Sequence, residues 1–127
     1  MGHSMNSSAN KIRQKLANGG VVTMFNPDFQ SPRLVAYLAG FDLDVCFLDG
    51  ERMSYDFERI EEMTRAAHLA GIACMARAWS NDPGLIVRYM DCGLDGMVFP
   101  MWKMLSMRGV RWISCVMRSP KTTPIKS

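Results

Sequence analysis

The chain has 127 residues, 48% hydrophobic and 21% charged, which suits one small globular domain and no more. No apolar run approaches the length of a membrane span, and the N-terminal "MGHSMNSSANK" lacks the apolar centre of a secretory signal. The net charge of +3 is unevenly placed: residues 1–100 hold 9 Lys/Arg against 12 Asp/Glu, whereas residues 101–127 hold 6 Lys/Arg and no acid. Those six basic residues are scattered among Met, Trp, Ile and Val rather than clustered, so no nucleic-acid arm is expected.

In chain order, "NKIRQKLAN" (10–18) reads as a short helix with Ile12 and Leu16 four apart, stopped by the Gly19–Gly20 pair. "VVTMF" (21–25) reads as a strand and "NPDFQSP" as a loop. The next helix takes Ser31 as its N-cap and Pro32 at its first position, and ends at Gly40. "DVCFLD" (44–49) reads as a buried strand. Residues 56–71 form an amphipathic helix with Phe57, Ile60, Met63, Ala67 and Ala70 on one face and Gly71 just past its end. A strand at 72–78, a helix at 81–93 and a strand at 95–100 follow.

The order is therefore one helix, three strand–helix units and a fourth strand. Strands that are apolar throughout, alternating with helices, predict a parallel α/β sheet with right-handed crossovers. An open doubly wound sheet and a closed barrel both fit this order, and both collect chemistry beyond the carboxyl ends of their strands. Asp49, Glu51, Arg52 and Arg77 fall at such ends. The bland reading makes them a salt-bridged rim. The functional reading makes them an anion pocket, in which a guanidinium holds a carboxylate by paired hydrogen bonds.

Other features are quieter. The first strand is followed by no glycine-rich phosphate loop, which argues against dinucleotide binding. The four cysteines (46, 74, 92, 115) have no CxxC spacing and read as free thiols of a cytoplasmic protein. His68 reads as a helix-surface or partly buried residue. Asp91, near a helix end, opposes the helix dipole and is expected to have a partner elsewhere.

"FLDGER" (47–52), "YDFERIEEMTRAAHLAGI" (55–72) and "ARAWSNDPGLIVRYMDCGLDGMVFPM" (76–101) together resemble the HpcH/HpaI aldolase family, the class II pyruvate aldolases grouped with citrate lyase β-like proteins. The resemblance runs over about residues 10–101. It implies a TIM barrel, of which this chain holds about the first four strands with their helices. The implied reaction is metal-dependent cleavage of a 4-hydroxy-2-oxo acid to pyruvate, or a related 2-oxo acid, and an aldehyde. The implied cofactor is a divalent ion (Mg, Mn or Co), and the implied partner is a small 2-oxo acid, with homo-oligomers in the full-length family and neither nucleic acid nor membrane involved. By the same resemblance Arg77 binds the 2-oxo acid, Arg52 stands where the family has its proton-transferring His, Asp91 stands where that His finds its partner, and Asp49 and Glu51 are the strand-end acids. The family's metal ligands, a Glu and an Asp on later strands, have no counterpart here.

A TIM barrel needs about 250 residues, so we read residues 1–9 as a disordered leader, 10–100 as the N-terminal half of a barrel domain and 101–127 as an atypical tail. The tail fits a frameshift. A permitted back-translation with one G inserted after codon 101 reads "MVENVEHARRAVDIVRYAK", an acid-containing amphipathic helix as the family would have. Sequencing the gene tests this, and an intact frame across that codon contradicts it. A half barrel would expose a strand edge, so we expect a truncated chain, inactive alone, that self-associates or dissolves poorly.

Overall fold

The computed structural model describes residues 8–100 and the backbone of 115–117. Residues 1–7 of the expected leader and the tail outside 115–117 lie outside the described residues, while Ser8 and Ala9, also read as leader, instead open the first helix, with Ala9 buried. The elements are α1 (Ser8–Ala17), β1 (Met24–Phe25), α2 (Pro32–Ala39), β2 (Val45–Asp49), α3 (Phe57–Leu69), β3 (Ala73–Arg77), α4 (Pro83–Asp91), β4 (Gly96–Val98) and β5 (Cys115–Met117).

Short polar side chains set the helix starts. Ser31, Asp56 and Asp82 each accept from a backbone N–H three residues on, at 3.4, 2.7 and 2.8 Å, and Pro32 and Pro83 occupy first helical positions whose N–H would have no partner anyway. The glycine after α3, Gly71, and the one after α4, Gly93, adopt positive φ, as helix ends require. Gly40 instead stays right-handed (φ −70). β1 is shorter than its apolar run predicts. The Asp44 carboxylate captures the Thr23 N–H at 2.8 Å and the Lys15 ammonium at 2.7 Å, tying α1 to the sheet at the point where β1 would otherwise start.

The strand order is β1-β2-β3-β4-β5, and the first four strands are parallel. Every crossover steps the same way and the order never reverses, so the winding is that of a barrel rather than of a doubly wound sheet. The tail strand β5, which periodicity did not predict, pairs antiparallel with β4 and occupies the edge where a barrel would add a parallel strand.

Alternation along the strands divides the interior in two. Cys46, Leu48, Cys74, Ala76 and Met97 pack with Val35, Ile60, Met63, Ala67, Tyr89 and Leu94 under the helices. Val45, Ala73 and Met75 turn to the other face, where Ile12 of α1 closes one end and Phe47 and Val98 pack half-buried. By the same period of two, Asp49 and Arg77 belong to this second face, at its carboxyl rim. Cys46 and Cys74 are buried free thiols, and Cys92 is a half-buried one. No helix among the described residues is long and apolar enough to cross a membrane.

Candidate active site

The β2–β3 register sets Asp49 directly opposite Arg77 at the ends of the two strands. Arg77 Nε donates to Asp49 Oδ1 at 2.9 Å, and Nη2 donates to Oδ2, giving a two-pronged ion pair. Arg77 Nε also lies 3.1 Å from a Glu51 carboxylate oxygen. Asp49 Oδ1 further accepts the backbone N–H groups of Glu51 (3.2 Å) and Arg52 (3.4 Å), which fixes the turn that follows β2. Asp49 is 4% exposed, while the Arg77 side chain keeps 25% of its surface open. Nη1 of Arg77 has no partner among the described residues.

The guanidinium holds the Asp49 carboxyl below its ordinary 3.8, against the opposing pull of burial. Its folded value therefore lies below its unfolded one. The stabilisation is complete above the unfolded value near pH 4 and is lost as pH falls through the lowered value. Thermal unfolding followed from pH 7 to pH 3 should show a loss of stability below pH 4 that Asp49→Asn reduces, the remainder including the Asp44 carboxylate, which, against the opposing pull of burial, Lys15 and Thr23 hold low.

Gly50 lets the two strand ends close on each other. Its N–H donates to the Arg77 carbonyl at 2.9 Å. The space a Cβ would fill is already held by the Tyr89 hydroxyl and, at 2.6 Å, by the Arg77 carbonyl oxygen. Tyr89 is fully buried, packs edge-on against Phe57 and Trp79, and has a hydroxyl with no hydrogen-bond partner among the described residues. Burial pushes that hydroxyl up to about 12. A buried donor without a partner costs about 1–3 kcal/mol, so Tyr89→Phe should melt at the same temperature as the parent or higher. Sequence reading missed Tyr89, because only the fold brings its helix position under the β2 turn.

The structure joins Asp49, Glu51 and Arg77, and places Arg52 beside them with an exposed side chain that makes no ion pair among the described residues. The salt-bridged-rim reading thus describes Arg77 and the two acids, with Arg52 outside it. Asp91 is not brought to this cluster. It ends α4, which runs back toward the strands' amino ends, and there it lines a groove of about 430 Å³ with Glu61, Arg65 and His68. Asp91 has no ion pair among the described residues. His68 pairs with Asp95 at 2.8 Å at the same end, and Asp95 also accepts the Cys74 N–H.

The described residues do not fit the divalent ion that the family resemblance implies. Among them no three His, Cys, Asp or Glu side chains gather to hold a metal, and the two acids at the strand ends both face Arg77.

Fold and site together define the class: a partial α/β barrel with an acid–arginine cluster at its carboxyl rim. The HpcH/HpaI aldolase from Desulfitobacterium hafniense DCB-2 superposes with a TM-score of 0.59 at 30% identity, over 68% of this chain and 34% of that chain. Citrate synthase SbnG (TM-score 0.67, 24% identity, 72% of this chain and 38% of that one) and macrophomate synthase (0.60, 18%, 72% and 32%) share the fold. A hydroxypyruvate/pyruvate aldolase from Rhizorhabdus wittichii is 33% identical over 64 residues, 50% of this chain and 26% of that protein. No protein-family profile matches the chain. The chain spans between 26% and 38% of the length of these relatives. The resemblance to the HpcH/HpaI aldolases stands, over about 70% of this chain.

Proposed function

We propose that the chain carries the 2-oxo-acid end of an aldolase-type lyase site and binds such an acid without turning it over alone. The observation behind this reading is Arg77, which is held by Asp49 at the rim of the barrel's inner face while Nη1 has no partner among the described residues. A guanidinium so placed is preorganised for a carboxylate or a 2-oxo group.

Cleavage of a 4-hydroxy-2-oxo acid needs a base for the C4 hydroxyl proton. The C3–C4 bond then breaks, an aldehyde leaves, and its electron pair passes to C3 as an enolate that is protonated to pyruvate. Arg52 stands where the resemblance expects that base, and a guanidinium already carries all its donor protons and has no acceptor site, so it cannot serve as that base. Loss of a general base lowers rates by roughly 10²–10⁴. The loss of that base supports binding without turnover. Self-association through the β1 edge, which no strand among the described residues covers, is part of the same proposal.

The test is pyruvate release from 4-hydroxy-2-oxo acids with Mg²⁺, Mn²⁺ or Co²⁺ added. We expect none above the uncatalysed rate, together with saturable pyruvate binding. Metal-stimulated turnover by this chain would overturn the reading.

A further inference from the structure

The strand-end cluster has an electrostatic problem that Arg77 alone does not solve. Two carboxylates, Asp49 and Glu51, already face its single guanidinium. Asp49 is held ionised, so the three groups together carry a net charge of −1 when Glu51 is ionised as well. A ligand carboxylate approaching Nη1 would be a third anion on one cation, and like charges at such range repel strongly in a half-buried site.

Arg52 is the available remedy. Its N–H shares the Asp49 Oδ1 that Arg77 Nε also contacts, so its backbone is pinned within one carboxylate of the guanidinium. Its side chain is exposed and unpaired among the described residues, and adding it brings the four groups to neutrality. We infer that Arg52 is a substrate-binding residue, supplying the second positive charge that lets this rim accept the carboxylate of a 2-oxo acid. The position thus serves anion capture in place of proton transfer. The inference rests on the 2-oxo-acid reading of Arg77 given above.

The experiment is calorimetric titration of pyruvate into the full chain and its variants at pH 7.5 and low salt. Arg52→Gln should bind at least tenfold more weakly, Arg52→Lys within a few fold of the parent. Glu51→Gln should bind more tightly than the parent, and the double variant Glu51→Gln/Arg52→Gln should regain most of the lost affinity, because it restores the charge balance. Arg52 is exposed, so these variants are expected to fold, and circular dichroism checks that they do. If Arg52→Gln binds pyruvate like the parent while Arg77→Lys or Arg77→Gln does not, the role given to Arg52 is wrong and the reading of Arg77 survives. If the Arg77 variants also bind like the parent, the reading of the site fails as a whole.

Discussion

Replacing Arg77 with Gln should cost about 3 kcal/mol of stability, the lower end of what breaking a buried ion pair costs. The Asp49 side chain is only 6% exposed, and without the guanidinium its charge keeps just the Glu51 and Arg52 backbone donors. Those two N–H groups, and the solvent that reaches the Arg77 side of the pair, keep the loss from being larger. Because the penalty comes from an uncompensated charge, Asp49→Asn should relieve it. The double variant Asp49→Asn/Arg77→Gln should therefore be more stable than Arg77→Gln alone. Chemical denaturation of the four proteins in a double-mutant cycle measures this coupling. An Arg77→Gln protein with the parent's midpoint would show that the pair does not hold the strand ends together.

Gly50→Ala should be comparably damaging, by about 1–3 kcal/mol, for a different reason. The residue does not have a positive φ, so backbone freedom is not the issue. The new methyl group would press on the Tyr89 hydroxyl and lie 2.6 Å from the Arg77 carbonyl oxygen, which belongs to β3 and cannot retreat without disturbing the sheet. Tyr89→Phe relieves only the first contact, so Gly50→Ala/Tyr89→Phe should recover part of the loss. Full recovery would mean that the backbone contact carries no weight. Movement of the β2 turn should also weaken ligand binding, since Glu51 and Arg52 hang from it.

The helices and strands were largely legible because their signals are local. Ser31 and Pro32 announce α2, Gly71 and Gly93 close α3 and α4, and unbroken apolar runs mark β2 and β3. The length of β1 was not legible, since it depends on Asp44 capturing Thr23 from 21 residues away. β5 was hidden because a three-residue strand in the basic tail has no period to read. Chain order alone left barrel and open sheet equally possible, and the strand order decided between them.

The site divides in the same way. That charges gather after β2 and β3 follows from where parallel strands end. That Asp49 faces Arg77 follows only from the register. The position of Asp91 likewise follows only from the fold. Fourteen residues from Arg77 span a loop and a whole helix, which carries the side chain to the other end of the sheet. Tyr89 and the constraint on Gly50 left no trace in composition or pattern, because both arise where a helix crosses behind two strand ends.

Arg77 is the proposed anchor for a 2-oxo acid. Nuclear magnetic resonance of the Arg77 guanidinium during pyruvate titration tests it directly. A saturable shift of that signal, absent with an uncharged analogue such as acetone, is the predicted result. An Arg77 signal unmoved at pyruvate concentrations of tens of millimolar (on the order of −2 to −3 kcal/mol at best) would contradict it.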